Sequence, residues 1–164
     1  MQNLKIVPIP TAVAANVRAT MKAPMYGFPA HREHPAAGRA PCRHCLKLIR
    51  PQVEELILFT HDAFHGLGVE PLPGPVYIHA EFCRAFAGNG HLPEEYVGQQ
   101  LRFESFGENR ARLGEKRVEG TDGDELLQEL FEQPGVRYVH VRSTTAGCYL
   151  FRVERGETNG NGCS

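Results

Sequence analysis

The chain lacks three features that would narrow its function at once: a long apolar run, an excess of one charge, and a familiar catalytic signature. No stretch approaches the roughly 20 apolar residues of a membrane-spanning helix. Met1 to Pro10 carries no apolar segment of signal-peptide length, so the expected location is the cytoplasm, with no membrane contact. The formal net charge is −1, with 18 Lys and Arg against 19 Asp and Glu. Such a balance supplies no field to gather nucleic acid or an anionic bilayer. G-x-S-x-G, H-E-x-x-H, P-loop and G-x-G-x-x-G patterns are all missing, which removes several enzyme classes without excluding enzymes in general. An even cysteine count is missing too. Five cysteines suit thiols or metal ligands better than a disulfide framework.

What is present describes a soluble globular chain. Its 164 residues fit one domain that buries about 70% of its unfolded surface. Leu4 to Ile9 reads as a short strand limited by Pro8 and Pro10. Thr11 to Lys22 has weak helical spacing through Val13 and Val17. Met25 to Pro41, rich in Pro, Gly, Ala and His, reads as a long irregular connection. The apolar centre of Val53 to Thr60 predicts a buried strand. A second strand, Pro75 to Ala80, follows a loop from His61 to Pro73. Leu101 to Phe106 is a third strand and Arg117 to Glu119 at most a short one. Thr121 to Gln133 predicts a helix, with Thr121 and Asp124 as a capping box and Leu126, Leu127, Leu130 and Phe131 as its stripe. Val136 to Ser143 and Cys148 to Glu154 predict a hairpin, with Val139, Val141, Tyr149, Phe151 and Val153 facing the core. The expected fold is a single α+β domain with a largely antiparallel sheet, few helices and long irregular N-terminal loops. Its parts are a leader and connection over residues 1–40 packed on the domain, the domain proper over 41–156, and a flexible tail over 157–164.

Chemistry concentrates in Cys42-Arg43-His44-Cys45 and His79-Ala80-Glu81-Phe82-Cys83. An antiparallel pairing of Val53–Thr60 with Pro75–Ala80 sets the start of the first strand beside the end of the second. Cys42, Cys45, His79 and Cys83 then converge at one end of the sheet, a ligand type and number that suits tetrahedral zinc. The stretch from Leu46 to Ile78 is longer than the roughly 12 to 20 residues between the ligand pairs of short zinc modules. Three readings stand: a zinc site, structural if all four bind; buried small hydrophobes beside a hydrogen-bonded histidine; or a thiol-dependent enzyme. In the last, Cys45 or Cys42 is the nucleophile, and His44 or His79 lowers its pKa or acts as base. A thioredoxin-like role is disfavoured, because no strand precedes the CxxC and no long helix follows it.

Two further groups are weighed. His61, Asp62 and His65 lie at the far end of the proposed hairpin, out of reach of the cysteines. His140, Arg142, Cys148 and Arg152 alternate away from the expected core face. Arg142 and Arg152, with His140, are candidates to bind an anionic ligand or partner, against the plainer reading of a solvated sheet face.

Three stretches carry a resemblance: "PCRHCL" from Pro41 to Leu46, "GPVYIHAEFC" from Gly74 to Cys83, and "YVHVRSTTAGCYLFRVER" from Tyr138 to Arg155. In order and spacing the chain resembles the bacterial domain of unknown function family 1203, over nearly the whole domain. The resemblance implies no activity. It marks Cys42, His44, Cys45, His79, Cys83, Arg142, Cys148 and Arg155 as matching motif positions. "IRPQVEE" after the CxxC and "HDAFHGLGVEPLP" from His61 depart from the family's pattern, so roles carried by those segments do not transfer.

Overall fold

Strands form where β-branched and aromatic residues alternate with polar ones, and in the computed structural model, which describes residues 2–35 and 40–156, most strands follow that pattern. In chain order the elements are β1 (Leu4–Val7), α1 (Thr11–Thr20), β2 (His31–Glu33), β3 (Leu56–Asp62), β4 (Pro73–His79), β5 (Leu101–Phe106), β6 (Arg112–Val118), α2 (Gly123–Glu132), β7 (Tyr138–Ser143) and β8 (Tyr149–Arg155). They build two antiparallel sheets, β1-β8-β7-β5-β6 and β2-β3-β4. The α+β expectation therefore holds. Among the described residues no helix is long and apolar enough to cross a membrane. The expected tail, 157–164, lies outside the described residues.

Each sheet covers its own core. Phe103, Val139, Val141, Phe151 and Val153 line one face of the larger sheet beneath Leu127, Leu130 and Phe131 of α2. On the smaller sheet Ile57, Phe59, Val76 and Ile78 pack with Val13, Ala14 and Val17 of α1. The N-terminal segment belongs to both: β1 pairs with β8, and α1 supplies an apolar stripe to the second core. Helix α1 stops at Met21, whose left-handed backbone returns its N–H to the Val17 carbonyl.

Several local expectations are corrected. Strand β2 sits inside the stretch read as irregular, and β6 runs for seven residues where at most a short strand was expected. His61 and Asp62 end β3 instead of opening a loop. Thr121 lies outside α2, and Asp124 makes no capping box; its carboxylate accepts the Leu92 N–H at 2.8 Å. A register shift after Val141 pairs Arg142 with Tyr149. The extra residue turns Tyr149 away from Phe151 and Val153 into a third cluster with Phe64, Phe106 and Tyr138.

His140 lies among those four rings, with centroids 4.6 Å from Phe64, 5.0 Å from Phe106, 5.1 Å from Tyr149 and 5.3 Å from Tyr138. It is fully buried, and neither ring nitrogen has a hydrogen-bond partner among the described residues. Burial, followed by Arg142, Arg152 and Arg110, lowers its pKa to about 2. The unfolded chain therefore binds a proton here that the folded chain refuses. The stability of the neutral form is complete above about pH 6.5 and is lost as pH falls towards the folded value. His140→Phe should flatten that acid-side decline, which amounts to at most about 1.4 kcal/mol per pH unit for one proton. Denaturant melts of both proteins at pH 7.5 and 5.0 check this, and parallel pH profiles would refute it.

Candidate metal centre

The residues that carry chemistry are placed by a tight turn. Cys42 donates its N–H to the Lys47 carbonyl at 2.9 Å, Leu46 donates to Cys42 at 3.0 Å, and Ile49 donates to Ala40 at 2.8 Å. Leu46 takes a positive φ of 60° to close the knuckle. The knuckle is then fixed from three directions. Arg43 donates its N–H to Tyr77 of β4, Ile9 donates to Arg43, and Phe86 donates to His44. The β3–β4 register sets Leu56 opposite His79. This brings the chain just after β4 beside the knuckle, as the hairpin expectation requires.

The ligand atoms of Cys42, Cys45, His79 and Cys83 all lie within 4.8 Å of one another. The Cys42 and Cys83 sulfurs are 3.9 Å apart, and Cys45 Sγ is 3.4 Å from His79 Nδ1. A tetrahedron with metal–sulfur bonds of about 2.3 Å and a metal–nitrogen bond of about 2.0 Å has edges of ~3.8 Å and ~3.5 Å. The donor set and these two edges suit a tetrahedral metal ion, while the widest separation in the set, up to 4.8 Å, is longer than such an edge. Cys42, Cys45 and His79 are buried and Cys83 is partly exposed.

The surroundings suit thiolates and a metal-bound imidazole. Glu54 Oε2 lies 3.2 Å from His79 Nε2, which leaves Nδ1 free to face the sulfurs. Glu54 is itself held by the backbone N–H and Nε of Arg50, at 3.0 and 3.2 Å. Burial raises its pKa, but those bonds and His79 outweigh that and hold it below the usual carboxylate range. Arg18 donates from Nη2 to Cys83 Sγ at 3.2 Å and from Nε to the His79 carbonyl at 3.1 Å. The His79 N–H points at Cys42 Sγ at 3.3 Å. His44 Nδ1 lies 3.1 Å from Cys83 Sγ, and its Nε2 lies 2.9 Å from Thr11 Oγ1. When the Thr11 hydroxyl donates to Nε2, Nδ1 carries the ring proton and donates to the sulfur.

Without a metal the cluster shares protons unevenly. Hydrogen bonds from Cys42 and Cys45 pull the Cys83 thiol far down, whereas those to Cys42 and Cys83 push Cys45 far up. Bonds to Cys42 and then Cys83 raise His79 to about 10. The proton is thus held most weakly at Cys83 and most tightly at Cys45, and a metal taken up by the four ligands would displace the proton on His79.

The other candidates are placed elsewhere. His44 is buried against Cys83 but is not among the four converging ligands. No helix opens at the CxxC, in keeping with the argument against a thioredoxin-like role. Arg142 Nε is 2.5 Å from Glu104, and Arg152 Nε is 2.9 Å from Glu154. Both guanidiniums are thus already engaged by carboxylates of their own sheet, and His140 is enclosed in rings. Asp62 Oδ1 accepts the N–H groups of Phe64 and Leu72, which closes the loop after β3. His61 packs against the rings of Phe59, His65 and Tyr149. Sequence reasoning missed Glu54, Arg18 and Thr11. Arg18 and Thr11 reach the cluster from α1 and Glu54 from the turn before β3, all far in sequence from most of the ligands, so no spacing could reveal them.

No curated protein and no solved structure matches the chain. A family model described as "Protein of unknown function (DUF1203)" matches residues 39–155, which takes in the knuckle, His79, Cys83 and four of the five strands of the larger sheet. By that match the chain is a member of the DUF1203 family.

Proposed function

We propose that the chain is a zinc protein whose Cys42, Cys45, His79 and Cys83 close a structural site. The observation that carries this reading is the convergence of three sulfurs and one Nδ1 within 4.8 Å, ringed by N–H donors aimed at sulfur. Four protein ligands complete a tetrahedron and leave no position for a reacting water. The metal's contribution is to lock the knuckle to the end of β4. Four free cysteines among the described residues suit a reducing compartment, consistent with the cytoplasm. The thiol-enzyme reading finds less support, since Cys42 is fully buried and Cys45, which borders a surface cleft beside His79 and Cys83, has its thiol pKa pushed up. Binding of an anion by Arg142 and Arg152 would require breaking their internal ion pairs.

Protein purified without a chelator or a histidine tag should contain one zinc per chain by elemental analysis. Stripping that zinc should lower the melting temperature markedly. Substoichiometric zinc together with unchanged stability after chelation would sink the reading. Cobalt substituted for zinc should give the visible absorption of a tetrahedral thiolate site, and Cys83→Ala should alter that spectrum. Glu54→Gln, which leaves all four ligands in place, should weaken metal affinity about 10- to 100-fold in a chelator competition.

A further inference from the structure

The knuckle that carries two of the cysteines also carries a buried cation with no counter-ion. Arg43 is 2% exposed. Its Nε donates to the Tyr149 carbonyl at 2.8 Å and Nη1 to the Pro41 carbonyl at 2.6 Å. Its guanidinium also lies over the Tyr77 ring, 5.7 Å from the centroid. Among the described residues it forms no salt bridge, whereas most other arginines of the two sheets pair with a carboxylate. Buried charges are ordinarily paired, because hydrogen bonds to carbonyls relieve the desolvation of a guanidinium only in part.

Arg43 lines a partly open cavity of about 680 Å³ bordered by the knuckle, β4, the segment around Tyr96 and the β7–β8 turn. That volume lies within the range of small-ligand sites. A second wall residue carries an unsatisfied group: the Tyr96 hydroxyl has no hydrogen-bond partner among the described residues and is itself covered, so a ligand in the cavity would reach it by shifting the wall around it. Leu48, Leu101 and Leu150 supply apolar wall, while Gln99 and Thr145 add polar groups. Arg43 is the one charged side chain among the lining residues. One cation and one neutral hydroxyl match a single negative charge, whereas a phosphate dianion would remain half compensated.

We propose that this cavity binds a small organic monocarboxylate with an apolar body, its carboxylate paired with Arg43 and hydrogen-bonded by the Tyr96 hydroxyl. The planar fork of the guanidinium suits a carboxylate, and the leucine walls take the rest of the molecule. The inference does not rest on the zinc reading, since none of the four metal ligands lines the cavity.

The test uses the intact chain as purified, with benzoate, cinnamate and hexanoate as probes and the matching amides as uncharged controls. At least one acid should bind in the millimolar range or tighter by ligand-observed NMR, and its amide should bind at least tenfold more weakly. Arg43→Gln should abolish binding. Because removing a buried arginine can unfold the chain, Tyr96→Phe serves as the second variant; it keeps the ring and should weaken the acid about fivefold, the worth of one hydrogen bond. Binding of no acid, equal binding of acid and amide, or unchanged affinity in a folded Tyr96→Phe protein would each overturn the proposal.

Discussion

The structure turns on the burial of one polar segment, Cys42 to Leu46, between its two sheets. Leu46 packs into the core beneath the larger sheet, whereas Cys42 and Cys45 belong to the core of the smaller one. Arg43 and His44, between them, are as buried as either core. Leu46 and the two thiols have a hydrophobic reason to stay inside, but Arg43 and His44 do not, so their position must be held by directed bonds. Backbone bonds to Tyr77, Ile9 and Phe86 supply part of the restraint, and under the zinc proposal a metal held by the four convergent ligands would supply the rest. The scale of the second part matters. Apparent binding energies of structural zinc in small zinc-finger peptides run to about 10–16 kcal/mol, comparable with the whole net stability of about 5–15 kcal/mol typical of a domain.

The larger sheet shows a different way of handling charge, by surrounding a carboxylate with guanidiniums. Glu104 sits on its polar face with Arg142 at 2.5 Å, Arg112 at 3.3 Å and Arg102 at 3.9 Å. The arginines of that face thus already surround an anion, one provided by the chain itself. Its register neighbour across β7 is His140, kept neutral by burial and by the same positive surroundings. The two ends of the molecule therefore solve opposite problems. One gathers negative sulfur and supplies donors to it; the other gathers guanidiniums and supplies a carboxylate.

Much of the centre was legible in the sequence, because it depends on register. Alternation in Pro75–Ala80 and the apolar run of Val53–Thr60 predict an antiparallel pair, and such a pair brings the CxxC to His79 and Cys83 without further assumption. The observed pairing of Leu56 with His79 does so. Strands β2 and β6 were hidden because their residues are mostly exposed and charged, leaving no hydrophobic period to read. Tyr149 was assigned to the wrong face because a bulge is one residue of backbone geometry and leaves no mark in an alternating pattern. Glu54 and Arg18 were invisible for another reason. Their roles exist only after β3, β4 and α1 have come together.

Strand β4 lies at the border of the three-stranded sheet, paired on one side with β3. On its other side the Tyr77 carbonyl accepts the Arg43 N–H, and the His79 N–H points at the Cys42 sulfur. The knuckle is thereby a cover for an otherwise open strand edge. Pro73 and Pro75 blunt the first half of that edge, since neither has an N–H to offer. The second half, Val76 to Ile78, is apolar or aromatic and has no such protection of its own. Whatever displaces the knuckle would bare a short sticky edge to a second chain, so the cysteine turn guards the protein against self-association as well as organising its interior.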